Sequence, residues 1–266
     1  FSSSRVSAAQ VFLFSDCVKK FQQLIRKEEV VSIGFNWIDP KAEYRHGAQK
    51  KYDSSLILYQ DILPHIGSII SGFFDLRNIY LDKIIVENGG SIIQIYIRIN
   101  EIKINIFLQR LGEIRERSCM VKCPNSNYRM DFSSEPGSIY LDGKELEYRQ
   151  ETKSPLTKMI SLFLADRDDS RFDITVFEQV LYLMDMLEKP YETAIENWWK
   201  EELTKDSPNS KFLEYSISEF INRSRKISNT IPRKVIQSEL EIILRDKNLF
   251  LEKIEKESNL NFLSED

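Results

Sequence analysis

Hydrophobic and polar residues near the start of the chain are spaced as in a helix followed by a strand. Apolar side chains such as Val18 and Phe21 recur at helical intervals through residues 16–29. Ser15 or Asp16 is a suitable N-cap for that helix. The segment VVSIGFNWI that follows is rich in β-branched and aromatic residues, which predicts a strand.

A long polar segment comes next. Residues 39–60 are rich in turn formers and too long for a simple connection, and loops of this length in compact domains are usually functional or disordered. Pro64 then predicts the first turn of a second helix, because proline is favoured at the first helical position.

Between residues 79 and 150 the pattern changes to short segments of alternating or β-branched character. Turn signals such as Asn88-Gly89 and Asp142-Gly143 separate them, so neighbouring segments are expected to pair antiparallel. The segments are IYLDKIIVEN, SIIQIYIRI, IKINIFLQRL, IRERSCMVKC, YRMDF and SIYLDG. In the third of them Ile102, Ile104 and Ile106 share one face opposite Lys103 and Asn105, as in a half-buried strand.

Helical patterns occupy the rest of the chain. Pro155 begins one predicted helix and DITVFEQVLYLMDMLEK forms a long amphipathic one, after which charged helical sequence continues with breaks near residues 206–208 and 230–232. The predicted fold class is therefore α+β: an open, mostly antiparallel six-stranded sheet with helices on one face, plus a helical C-terminal extension.

Composition narrows the class of protein. With 42% hydrophobic and 29% charged residues the chain is typical of a soluble globular protein. The net charge of −4 gives no basic excess, which argues against a nucleic-acid partner. No apolar run approaches the roughly 18 residues of a membrane span. Cys119 and Cys123 are separated by three residues, but no second cysteine pair or histidine lies near them in the sequence, so no zinc site is expected. The three cysteines suggest reduced thiols in a cytoplasmic protein.

His65 is one of only two histidines, and it lies four residues after Asp61. In one interpretation Asp61 caps a helix and His65 is a half-buried structural residue. In the other the two residues handle a proton, because the unperturbed pKa of imidazole lies near neutrality. In the first turn of a helix that begins at Pro64, the helix dipole would favour the neutral, proton-accepting imidazole. The spacing alone leaves both interpretations open.

A basic and aromatic cluster lies in the long segment before this pair. Arg45, Lys50, Lys51 and Tyr52 follow within sixteen residues of Trp37. One interpretation is an ordinary solvated loop. The other is a set of substrate contacts for a phosphate, a carboxylate or a nucleotide-linked sugar.

The order of elements resembles the C-terminal domain of the glucose-fructose oxidoreductase/inositol dehydrogenase (Gfo/Idh/MocA) family. The segment LFSDCVKKFQQLIRKEEVVSIGFNW is similar to the family's link into its sheet domain, and DILPH matches the spacing of its D-x-G-x-H motif, with Leu63 at the glycine position. SPLTKMISLFLADRDD and FEQVLYLMDMLEK are similar to its closing helices. The resemblance covers about residues 10–190, and the fingerprint G-x-G-x-x-G is absent from the chain.

The resemblance implies three regions. Residues 1–30 would be a linker helix from a missing upstream nucleotide-binding domain, residues 31–190 a catalytic and oligomerising sheet domain, and residues 191–266 a charged helical extension. It also implies NAD or NADP as cofactor, His65 as general acid/base oriented by Asp61, and a homo-oligomer formed through the sheet.

The expected function is the substrate-binding and catalytic part of an NAD(P)-dependent oxidoreductase. It would transfer a hydride between nicotinamide and a sugar, polyol or related hydroxy compound. The alternative is a non-catalytic interaction or assembly module derived from the same fold.

Overall fold

A computed structural model describes residues 8–45, 48–49, 56–149, 153–165, 169–172 and 174–227. Eight of its ten strands form one sheet, and β2 and β3 form a separate two-stranded ribbon. The strands are β1 (Ser32–Pro40), β2 (Tyr44–Arg45), β3 (Ala48–Gln49), β4 (Ile79–Glu87), β5 (Ile92–Ile99), β6 (Ile102–Gly112), β7 (Glu116–Lys122), β8 (Asn127–Asp131), β9 (Ser138–Leu141) and β10 (Lys144–Leu146).

The strand that precedes the others in the chain lies in the middle of the sheet. The order is β10-β9-β8-β7-β1-β6-β5-β4, in which β1 pairs parallel with β6 and antiparallel with β7. All other neighbours in the sheet are antiparallel. Because β1 separates β6 from β7, the sheet consists of two hairpin-linked halves joined across one central strand.

Five helices accompany the sheet in the described part of the chain. They are α1 (Asp16–Ile25), α2 (Leu58–Ile70), α3 (Pro155–Leu164), α4 (Ile174–Thr204) and α5 (Ser210–Ile227). Ser15 caps α1 by accepting a hydrogen bond from the Val18 amide, and Ser154 caps α3 in the same way through Thr157. Both caps supply an acceptor to an amide that the helix itself leaves unpaired.

The core lies between the sheet and the helices. Along β1, β5 and β6 every second side chain is buried, as in Ile93, Ile95 and Ile97, so the strands present one apolar face to the helices. Helix α2 packs on that face with most of its length buried, including Leu63 and Ile66. The opposite face carries half-buried and exposed side chains such as Gln94, Tyr96 and Met120.

The fold class predicted from the sequence is confirmed, and the number of strands is corrected. Eight strands form the sheet where six were expected. The difference arises from β1, which was predicted as a strand of the sheet domain but not counted among the six, and from the short strand β10, which was not predicted. Alternation identifies a strand locally, whereas its partner in the sheet is set by contacts far away in sequence.

The predicted start of the second helix was wrong. Helix α2 begins at Leu58, so Pro64 and His65 lie in its middle and not in its first turn. The expected effect of the helix dipole on His65 therefore does not apply, because it is confined to the terminal turn. Burial of the apolar face outweighs the cost of an interior proline, about 3 kcal/mol in an isolated helix.

The C-terminal helices belong to the same core as the sheet. Helix α4 continues without interruption through Pro190, and Tyr191, Ile195 and Trp199 beyond it are buried with the sheet residues. The break expected near residues 206–208 is present between α4 and α5, whereas the one near residues 230–232 lies outside the described residues. The division into regions ending at residues 30 and 190 stays a prediction.

Replacing Leu63 by alanine should destabilise the fold, because this side chain is 0% exposed and its removal leaves a cavity. We expect a loss of about 2–5 kcal/mol in the free energy of unfolding, measured by denaturant titration. The matched control is Leu164→Ala, at a side chain that is 77% exposed, which should change stability by less than about 0.5 kcal/mol. Equal effects of the two substitutions would contradict the packing described for α2.

Candidate functional site

The candidate site lies where one end of the sheet meets α2. At this end of the sheet, charged residues occupy positions on the buried faces of the strands, where the preceding buried positions are apolar. Asp39 follows Ile33, Phe35 and Trp37 on β1, and Arg110 follows Ile104, Ile106 and Leu108 on β6. Because β1 and β6 run parallel, both charged residues lie at the same edge of the helix-covered face.

His65 is held by aromatic contacts. Its ring stacks on Trp37 of β1 with the ring centroids 5.5 Å apart and the planes 5° from parallel. Phe12, from the 3-10 turn Val11–Phe14, meets the imidazole edge-on at 5.5 Å. Phe132 contacts both Phe12 and Trp37, which completes the cluster. The half-buried imidazole therefore has a defined ring plane, as a proton-transferring group requires.

Trp37 is the centre of this cluster and also contacts a cation. The Arg117 guanidinium carbon lies 4.1 Å from the centre of its indole ring, and Arg117 donates to Asp39 Oδ1 at 2.8 Å. Arg117 is directly opposite Trp37 in the pairing of β7 with β1, so the contact follows from the strand register. The indole Nε1 is buried and has no hydrogen-bond partner among the described residues.

Asp61 lies one helical turn before His65 and forms an ion pair. Its Oδ2 accepts a hydrogen bond from Arg110 Nη2 at 2.9 Å. The Arg110 side chain is almost fully buried, whereas that of Asp61 is partly exposed. Helix α2 thus lies over the ends of β1 and β6 that carry Asp39 and Arg110. Its Asp61 contacts β6 and its His65 contacts β1.

A cavity of about 580 Å³ adjoins the aromatic cluster. Phe12, Arg117 and Phe132 belong both to the cluster and to the cavity wall. Four charged side chains of the wall form two ion pairs: Arg115 with Glu43, and Lys158 with Asp16 at 2.7 Å. Paired charges, hydroxyl groups and aromatic rings together suit a polar, hydroxyl-rich ligand.

Cys17 lines the same cavity but is not an activated nucleophile. Burial raises the pKa of its thiol to about 11, and this outweighs a hydrogen bond with Tyr148 that lowers it. At neutral pH the side chain is therefore a protonated thiol. All three cysteines of the chain are free.

The structure brings together some of the residues predicted from the sequence. His65 and Trp37 are in contact, and Asp61 lies on the same helix as His65. Arg45 lies in β2, and Lys50, Lys51 and Tyr52 lie outside the described residues, so their role as substrate contacts stays a prediction.

Sequence reasoning missed several residues of the site. The signal for Arg110, Asp39 and Arg117 was present, because each is in phase with buried residues of its strand, and a charged residue on a buried face is rare unless paired. Nothing in the sequence indicated Phe12 or Phe132, which reach the cluster only through the tertiary fold.

Comparisons with known proteins give a likeness of fold. No protein-family model matches the chain, and neither does any curated protein. The UDP-N-acetylglucosamine 3-dehydrogenase from Acidithiobacillus ferrooxidans matches 70% of this chain and 61% of its own, at 10% identity and a TM-score of 0.51. A 3-ketoreductase from Actinomadura kijaniata, in complex with TDP-benzene and NADP, matches 66% of this chain and 58% of its own, at 8% identity and a TM-score of 0.50.

The chain thus spans about three fifths of the length of these two solved structures. At such low identity the likeness establishes a shared fold. Among the described helices none is long and apolar enough to cross a bilayer.

Alkylation of Cys17 should be slow in the folded protein. With its pKa raised by about two units from the ordinary value of 9.0, the thiolate fraction at pH 8 falls roughly 100-fold. We expect iodoacetamide to label Cys17 far more slowly in native than in urea-unfolded protein, with the native rate still rising between pH 8 and pH 10. Peptide mass spectrometry assigns the label, and rapid labelling of native Cys17 at pH 7 would contradict the assignment.

Proposed function

We propose that this chain is the substrate-binding and catalytic part of an NAD(P)-dependent oxidoreductase that acts on a sugar, a polyol or a related hydroxy compound. The observation that supports it most is the placement of His65. This half-buried imidazole is fixed on Trp37, and Phe12, which contacts it edge-on, also lines the cavity. The fold is shared with a nucleotide-sugar dehydrogenase and an NADP-bound ketoreductase. The fold contributes an analogy, and the site contributes the chemistry.

His65 is the proposed general acid/base. One imidazole nitrogen accepts the proton of the substrate hydroxyl as the adjacent carbon loses a hydride, and returns it in the reverse direction. The stack on Trp37 holds the ring plane throughout. Asp61, one turn away on the same helix, is proposed to orient His65 or to relay the proton.

The substrate is proposed to bind in and around the 580 Å³ cavity. Phe12 lines this cavity and contacts the His65 ring, so a ligand there would lie against the aromatic cluster that holds the imidazole. Arg45, Lys50, Lys51 and Tyr52 remain proposed contacts for an anionic or nucleotide-linked group.

The nicotinamide cofactor, NAD or NADP, supplies the hydride acceptor when it is bound. The chain lacks the glycine-rich fingerprint that would cradle its pyrophosphate, so we propose that another part of the complete polypeptide holds it. The proposed cellular location is the cytoplasm, where free cysteines persist.

A non-catalytic assembly module is the second candidate. The observation that favours it is the ion pair of Asp61 with the buried Arg110, which gives Asp61 a structural task. In that case the site would be a remnant, and the sheet and the C-terminal helices would bind a partner protein.

His65→Ala in the complete polypeptide should abolish turnover without unfolding the protein. Loss of a general acid/base typically lowers the rate by about 10²–10⁴, so we expect a fall of this size in kcat/KM for a nucleotide sugar with NADH or NADPH. His65→Gln separates loss of the base from loss of packing, and Asp75→Asn, in an exposed turn, is the surface control. Circular dichroism checks the fold.

Binding of nicotinamide by the complete polypeptide decides between the two candidates. Titration of NADPH and NADH, followed by cofactor fluorescence, should show saturable binding if the chain belongs to an oxidoreductase. Absence of binding would contradict the proposed oxidoreductase function and favour the assembly module.

The open face of the sheet is the proposed surface for homo-oligomer formation. Tyr80 and Met120 on this face are 63% and 50% exposed. Met120→Glu should shift the molar mass measured by light scattering toward that of a monomer, because a buried unpaired charge is costly. Glu145→Gln, at the edge strand of the same face, is the control. A monomeric mass for the unsubstituted protein would contradict the proposal.

A further inference from the structure

Arg110 occupies a position that is apolar elsewhere on its strand. It follows Ile104, Ile106 and Leu108 on the buried face of β6, and its side chain is only 1% exposed. Burying a guanidinium is costly because the charge loses its hydration, and even a paired one adds little net stability compared with an apolar residue. Packing alone therefore does not explain an arginine here.

The guanidinium of Arg110 joins three segments of the chain. Nη2 donates to Asp61 Oδ2 on α2 at 2.9 Å, and Nη1 donates to the carbonyl of Leu56 at 2.8 Å, just before α2 begins. Nη1 also donates to the Tyr215 hydroxyl on α5, at a longer 3.4 Å. A planar fork with donors in fixed directions suits such a triple contact, which a lysine could not reproduce.

Arg110 stays charged in this setting. Burial lowers its pKa, but the neighbouring Tyr215 and Asp61 more than offset this and raise it above its usual value. Burial also raises the pKa of Tyr215, so that residue is a neutral phenol at neutral pH. The cation is therefore shared between the Asp61 carboxylate and two neutral oxygen acceptors.

Helix α5 is fixed in the position from which Tyr215 reaches Arg110. Leu213 and Ile217 are buried in the core, and Glu219 accepts a hydrogen bond of 2.6 Å from Tyr191 of α4. Trp199 of α4 donates to the Ser216 hydroxyl. These contacts lie on both sides of Tyr215 and limit the movement of its hydroxyl.

The turn between β4 and β5 is shaped to accept α5. Gly89 and Gly90 both have positive φ, +68° and +91°. A Cβ atom on Gly89 would lie 2.2 Å from the Phe212 carbonyl oxygen, and one on Gly90 would lie 3.0 Å from Glu219 Oε2, both on α5. The two glycines thus leave the space that α5 needs, although they lie far from α5 in the sequence.

We propose that Arg110 is a positioning residue of the candidate site and that Tyr215 orients it, so that α5 fixes the position of α2 through Arg110. Through Arg110, α5 sets the position of the Asp61 carboxylate and of the main chain at Leu56, just before α2 begins. This inference rests on the proposed function for its effect on turnover, but its effect on the geometry of α2 is independent of that function.

The test uses Tyr215→Phe and Arg110→Lys in the complete polypeptide. Tyr128→Phe is the matched tyrosine control, since that hydroxyl, on β8, donates to Glu28 in the segment after α1. Arg98→Lys is the arginine control, since it pairs with Asp82 on the opposite face. The first readout is the His65 imidazole NMR signal, which is assigned by its disappearance in His65→Gln. The second is the separate measurement of kcat and KM.

We expect Tyr215→Phe to shift the His65 signal and to lower kcat roughly fivefold, the effect of one modest hydrogen bond, with KM little changed. Arg110→Lys should lower kcat at least tenfold, because lysine keeps the charge but not the three contacts. Neither control should shift the His65 signal or change kcat.

Two results would overturn the inference. One is a His65 signal and kcat in both variants that match the controls. The other is a lower melting temperature with both of these readouts unchanged, which would make the contact merely structural. If no variant, nor the parent protein, shows nicotinamide-dependent turnover, the proposed function fails, and the His65 signal still decides whether Arg110 and α5 position α2.

Discussion

The parallel pairing of β1 with β6 is the constraint on which the site depends. It inserts the first strand of the domain between two hairpin-linked halves, so that the ends of β1 and β6 and the start of β7 lie together. Trp37 and Asp39 thereby come beside Arg117, and Arg110 lies at the same edge. Helix α2 crosses that edge and adds Asp61 and His65. Without the central strand these residues would belong to separate parts of the sheet.

Two kinds of contact hold α2 on the sheet, and they differ in physical character. Toward its C-terminal end, burial of side chains such as Ile66 and Ile69 supplies most of the stabilisation, because apolar area is removed from water. At the end that carries Asp61, the ion pair with Arg110 fixes the orientation of the helix more than it adds to the free energy of unfolding. The apolar contacts therefore keep the helix docked, and the polar contact determines where its functional face lies.

The C-terminal helices extend this arrangement beyond the resemblance found in the sequence. The buried residues of α4 continue past Pro190 into the contacts with α5, and α5 reaches the site through Tyr215. A segment that looked like a charged appendage is thus packed against the same core. In α5 the side chains of Lys211 and Glu214 are exposed, whereas Leu213, Ser216, Ile217 and Glu219 are buried.

The local pattern of apolar and polar residues determined the fold class and most of the secondary-structure elements of this protein. Alternation in the segment containing Ile104 and Ile106, and the helical period after Ser15, were enough to predict the α+β class and most of the elements, because each depends on near neighbours along the chain. The spacing of Asp61 and His65 likewise identified the candidate helix. The tertiary structure decided what depends on distant contacts: the central place of β1, the start of α2 ahead of Pro64, and the pairing of Asp61 with Arg110. Such contacts form only when segments far apart in sequence pack together, and no local spacing encodes them.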